Sequence, residues 1–109
     1  MAVLPTTLIT TSGTVLGALA AASAGGDKVN FGNQTFVVVK NADAAPHTVT
    51  LVTPSNVSGL AIADKPVVVA ASTTAFIGPF ESVFVDSTDR TVALTYDAVT
   101  SLTVGAFSI

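Results

Sequence analysis

The residues able to do chemistry are few. The chain of 109 residues contains one histidine and one tyrosine, with no cysteine and no tryptophan. His47 closes the stretch Asn41-Ala42-Asp43-Ala44-Ala45-Pro46-His47, which separates an apolar run at 36–39 from the alternating Thr48-Val49-Thr50-Leu51. A histidine placed between two strand-like segments invites a metal reading, and an electron-carrying copper centre is the first to test. A blue-copper site needs two imidazoles and a cysteine thiolate. This chain supplies one imidazole and no thiolate, so that chemistry is excluded.

In form, the strand, Asp-Ala-Ala-Pro loop and second strand resemble the first histidine-bearing hairpin of cupredoxins, but only the shape survives the loss of the ligands. Pro46 and Thr48 flank His47 and offer it no orienting carboxylate, so the expectation is a solvated histidine at a strand start. Asn41 and Asp43 suit a turn, because their side chains bond nearby backbone. The densest acidic stretch, Asp86-Ser87-Thr88-Asp89, could offer oxygens to a cation. It lacks the spacing of a dedicated Ca²⁺ loop, and Asp86 and Asp89 are expected to cap a polar turn. Asn33-Gln34-Thr35 and Asn56-Val57-Ser58 match the glycosylation acceptor pattern, which matters only in a secreted chain. There is no glycine-rich phosphate loop and no nucleophile with an adjacent base. The sequence therefore predicts no catalytic residue, cofactor or metal site, and no enzyme.

Composition narrows the class. Half of the residues are apolar and 10% are charged, against roughly a quarter charged in ordinary soluble domains. The length suits one domain with one core. The net charge of −3, with Lys28, Lys40, Lys65 and Arg90 scattered, argues against a nucleic-acid partner. Residues 1–26 carry no charge, yet Pro5, Gly13 and many threonines interrupt them, and a spanning helix needs about 20 mostly apolar residues. No membrane span is expected. A secretory leader wants an early positive charge, and none precedes Lys28. Abundant Ala, Val and Thr with few charges fit a subunit whose surface is covered in an assembly.

The elements that must position these residues read as β throughout. Strands are expected near 35–40, 48–53, 60–63, 67–70, 75–77, 83–85, 90–96 and 102–109, with turn signals every eight to twelve residues or so. In 48–53 Val49 and Leu51 share one face; in 90–96 Val92, Leu94 and Tyr96 point inward. Phe36, Phe76 and Phe80 are expected in the core. The fold expected is all-β, an immunoglobulin-like sandwich of about seven or eight short strands. Residues 27–109 form that domain, and residues 1–26 form an apolar N-terminal arm for assembly contacts.

An ordered series of motifs then carries a resemblance. Gly25-Gly26-Asp27, Thr35-Phe36-Val37-Val38-Val39-Lys40-Asn41, Val49-Thr50-Leu51-Val52-Thr53-Pro54, Gly59-Leu60-Ala61-Ile62-Ala63-Asp64, Phe76-Ile77-Gly78-Pro79-Phe80 and Val92-Ala93-Leu94-Thr95-Tyr96 resemble small virion proteins encoded among the head genes of tailed phages, notably phages of actinobacteria. The similarity covers most of the chain after Gly25; in the resembling proteins a smaller, polar segment usually replaces residues 41–47. The resemblance implies a capsid decoration or auxiliary head protein. Such a protein is made in the host cytoplasm, sits on the capsid exterior, contacts the major capsid protein and forms homo-oligomers, in some cases trimers. An apolar arm can add a strand to a neighbour's open sheet edge or lie across the capsid lattice, and the alternative is that it packs on its own sandwich. In the first case Val3, Leu4, Leu8 and Ile9 are the expected anchors, with Val15 and Leu16 as further contacts. Two other readings use the same vocabulary: a tail or other virion sandwich module, and a secreted adhesive or carbohydrate-binding module.

Overall fold

The computed structural model describes all residues except Met1, 14–18, Asn33, Ser55, Ile62, Glu81 and Ile109. It is all-β, with two sheets packed face to face. The first sheet runs in the order β1 (Ala2–Leu4), β4 (Asp27–Asn30), β12 (Thr91–Tyr96), β6 (His47–Leu51), β9 (Lys65–Val69), and β11 (Val85–Asp86) also pairs with β12. The second runs β10 (Thr73–Ile77), β5 (Thr35–Asn41), β13 (Leu102–Ser108), β2 (Thr6–Leu8), with β3 (Ala20–Ala21) also on β13. A separate hairpin joins β7 (Asn56–Val57) to β8 (Leu60–Ala61).

Two-residue alternation builds the interior. Successive side chains of a strand point to opposite faces, and β6 buries His47, Val49 and Leu51 while Thr48 and Thr50 stay half-exposed. In β5, Val37 and Val39 face the core, where they meet Leu102, Val104 and Ala106 of β13 and Val29, Val92 and Leu94 of the other sheet. Val38 is buried as well, on the opposite face of β5, so the continuous apolar run of this strand does mark burial on both sides.

The described strands within residues 1–26 pair with the chain's own sheets. Ala2–Leu4 pairs in parallel with β4, and Thr6–Leu8 pairs in parallel with β13. Pro5, which has no N–H to give a ladder, stands where the chain leaves one sheet for the other. Ala20–Ala21 adds to β13 as well. The physical reason is backbone demand: an uncharged, threonine-rich chain has high β-propensity, and its amides are best satisfied by the two open sheet edges beside it. Strand β4 was not anticipated, because Asp27 and Lys28 hide its pattern; Asp27 and Val29 are buried and Lys28 faces outward. Residues 82–84 form a short 3₁₀ turn ahead of β11 where a strand was expected.

Three aromatic rings mark the outer face of the second sheet. Phe36 stacks on Phe76 and on Phe107, with ring centroids 6.0 Å apart in each pair. Phe76 is 71% exposed and Phe36 half-buried, so of the three phenylalanines assigned to the core only Phe80 lies there. On β10 the inward phase belongs to Ala75 and Ile77, which leaves Phe76 outside. Gly78 follows at φ +141°, and a Cβ there would sit 2.7 Å from Phe36 Cβ and 2.9 Å from its Cα. Only glycine allows Phe36 to lie against this backbone.

Two substitutions test this packing. Val39→Ala, at a fully buried site, is expected to cost about 2 kcal/mol. Gly78→Ala is expected to cost on the order of 1–3 kcal/mol. Urea denaturation of each variant, read as a shift in midpoint at constant slope, measures both.

Candidate functional site

Two features merit examination as sites: the polar cluster around His47, and the apolar outer face of the second sheet.

His47 is a buried residue, with its side chain 5% exposed. This corrects the expectation of a solvated histidine. Position 47 is in phase with Val49 and Leu51, so β6 carries it inward. Its Nε2 lies 2.9 Å from Asp43 Oδ2 and its Nδ1 lies 3.2 Å from Asp97 Oδ1. A carboxylate has no proton to donate. Both ring nitrogens must therefore donate, and only the imidazolium does so. The Asp43 hydrogen bond, with Asp97 adding to it, raises the His47 pKa against the opposing effect of burial. The same bond to His47 holds the Asp43 carboxyl below its usual range. For Asp97 burial acts upward, but backbone bonds at Thr48 and Ala98 and the His47 ring outweigh it, and the pKa falls.

Asn41 secures the loop that brings Asp43 into place. Buried at the end of β5, it donates through Nδ2 to Ala45 O at 3.0 Å and Val69 O at 3.1 Å, and its Oδ1 accepts from the Asp43 amide at 3.0 Å. The expected turn role of Asn41 is correct, and the structure adds the link to β9. Sequence reasoning missed Asp97, which lies 50 residues from His47; nothing local signals that pairing. The two carboxylates hold opposite ring nitrogens and do not converge on one point. Among the described residues no group of three His, Cys, Asp or Glu side chains is arranged to hold a metal ion. The cluster is a three-group ionic clamp that ties the 41–47 loop to the chain after β12.

The remaining carboxylates serve turns and neighbours. Asp86 accepts from the Thr88 amide, and Asp89 accepts from the Thr91 amide and hydroxyl. Asp89 also meets Lys28 at 2.8 Å, which, with the Thr91 bonds, lowers its pKa to about 2. Asp27, buried between β4 and β12, accepts from Tyr96 Oη at 2.8 Å; burial, reinforced by that carboxylate, raises the tyrosine pKa.

The expected contact residues divide. Val3, Leu8 and Ile9 are 51%, 60% and 38% exposed. Leu4 is 4% exposed and belongs to the core, which removes it from any contact surface; Val3 beside it takes the outward position. Val15 and Leu16 lie outside the described residues. Ile9 also borders a groove of about 600 Å³ with Gln34, Phe36, Phe76, Gly78 and Pro79. Sequence reasoning missed Phe76 as a surface residue, and it is the most exposed aromatic of this face.

Comparison with protein-family models, with curated proteins and with solved structures finds no match to this chain.

The clamp makes stability depend on pH in a definite direction. A folded-state pKa raised above the ordinary histidine value of 6.5 gives a contribution that is complete below that value and lost as pH rises through the folded pKa. The depressed pKa values of Asp43 and Asp97 give contributions that are present above the ordinary carboxylate value of 3.8 and lost as pH falls through the folded ones. Thermal melts across pH are expected to show both declines, with the alkaline one absent in His47→Gln. An NMR titration of the imidazole should show a midpoint above 6.5 that Asp43→Asn moves down.

Proposed function

We propose that this chain is a structural virion protein that decorates the outside of a tailed-phage capsid by binding the major capsid protein, without an enzymatic step. The observation that carries the reading is the apolar surface contributed by the first residues and by the part of the second sheet around Phe36 and Phe76. Val3, Leu8, Ile9 and Phe76 are exposed, and the groove between Ile9 and Phe76 is lined almost wholly by apolar side chains. Monomers seldom leave such residues bare, and patches of this kind mark contacts with other proteins. The ordered motifs of residues 25–96 supply the class of partner. An immunoglobulin-like description of the sandwich goes with this reading, supported by the way successive strands β4, β5 and β6 alternate between the two sheets.

The first residues have a different role here from that of a free arm. Leu4 and the ladders of β1 and β2 belong to the fold, so shell contacts come from the outward side chains of an ordered strand pair. Many copies per shell let individually weak contacts add through multivalency.

Co-sedimentation with empty capsids of the parent phage tests the proposal. Saturable binding at a fixed ratio to the major capsid protein is expected, and Val3→Asp combined with Leu8→Asp should lower the affinity at least roughly tenfold while the far-UV spectrum stays unchanged. Failure of the unmodified chain to bind shells at any concentration would overturn the proposal, with a tail module or a secreted adhesive module as the remaining readings.

A further inference from the structure

Among the described residues the two main sheets end in β1 and β9 and in β10 and β2, and of these outer strands β10 is the least defended. An edge strand presents unpaired N–H and C=O groups to any other strand, and proteins blunt such edges with charge, proline, bulges or shortness. On the first sheet, β9 begins with Lys65-Pro66, and β1 is three residues long. On the second, β2 is also three residues long. Strand β10, Thr73-Thr74-Ala75-Phe76-Ile77, runs five residues with neither a charge nor a proline. Among the described residues its only ladder partner is β5.

The surroundings of β10 are apolar on its outer face and mixed on the other. The groove with Ile9 and Phe36 lies on its outer face. A second cleft, of about 430 Å³, opens between the two sheets beside β10, where Lys65 borders it together with Leu51, Val67, Ile77, Phe80 and Phe84. Phe76 and Pro79 line both. A bare edge carrying a 71% exposed phenylalanine is an association site unless something covers it.

We infer that the occupant is a second copy of this chain, paired antiparallel through β10 about a two-fold axis at Ala75. The sequence of the strand is self-complementary in that register. Ala75 then faces Ala75 of the second copy, Thr74 faces its Phe76, and Thr73 faces its Ile77. The two Phe76 rings become diagonal neighbours across the new ladder, within reach of each other. The stacked row of Phe107, Phe36 and Phe76 in one copy continues into the same row of the other. No charged residue stands on either strand, so the two-fold brings no like charges face to face along the ladder. The contact is isologous and closes at two copies. It does not involve Val3 of β1 or Leu8 of β2, which lie at the other margins of the sheets.

Analytical ultracentrifugation across a concentration series tests the inference without shells. The unmodified chain is expected to reach twice its 10.9 kDa mass. Thr74→Lys and Phe76→Lys, both at exposed positions, should each return it to a single chain with an unchanged far-UV spectrum. Val68→Lys, on the exposed face of β9, should leave the dimer intact. A chain that stays monomeric throughout, or an oligomer that survives both β10 variants or is broken by Val68→Lys, would overturn the inference. So would a monomer whose binding to shells is lost in Phe76→Lys, since β10 would then receive the capsid protein. The readout is separate from that of shell binding, because Val3→Asp with Leu8→Asp leaves the β10 edge untouched.

Discussion

The seven-residue antiparallel register between Thr35–Asn41 and Leu102–Ser108 is the constraint on which most of the molecule depends. It fixes the face that Val37, Val39, Leu102, Val104 and Ala106 present to the other sheet, and so defines the core. By the same alternation it sets Phe36 beside Phe107 on the opposite face. A slip of one residue would exchange the two faces and place the aromatic rings inside. Both margins of the sheet are templated by this pair: β10 forms on β5, while β2 and β3 form on β13. The end of β5 also places Asn41, from which the loop to His47 is held. Core, aromatic face, open edge and ionic clamp thus follow from one ladder.

Charge in this protein is used locally. Each of the six described aspartates accepts at least one hydrogen bond from its own chain: Asp27 from Tyr96, Asp43 and Asp97 from His47, Asp64 from Thr53, Asp86 from Thr88, and Asp89 from Thr91. Carboxylates engaged in this way shape turns and join strands. The surface that remains is rich in threonine, alanine and exposed apolar side chains. Such a surface recognises a partner by shape and by backbone pairing, with little electrostatic steering.

The His47 clamp and the apolar face have opposite relations to solvent. Around His47 an ionised group is held inside the fold because two carboxylates compensate it on both sides, and removing either would leave a buried cation partly unpaired. On the outer sheet, apolar groups remain in water because the fold has already used its inward positions for Ala75 and Ile77. The first arrangement closes one end of the sandwich. The second leaves an unfinished surface, and it is the part of the molecule from which association is most readily derived.

Much of this was legible in the sequence. Alternating valines and threonines, with turn residues between them, determined an all-β chain and the inward sets Val49 with Leu51 and Val92 with Leu94, because a pleated strand has a fixed period of two. The lack of cysteine and of a second histidine excluded blue-copper chemistry on ligand grounds. The inward phase of His47 was also written there, in step with Val49 and Leu51. Tertiary structure alone decided the rest. Asp97 reaches His47 only because β12 lies beside β6, and no local pattern encodes that neighbour. In Ala75-Phe76-Ile77 either phase buries an apolar side chain, so only packing between the sheets could leave Phe76 outside. The first 26 residues look like an arm because they lack charge and turn signals. Ala2–Leu4, Thr6–Leu8 and Ala20–Ala21 among them are strands because sheet edges lie within reach, and edge pairing is a property of the assembled fold that a single segment cannot display.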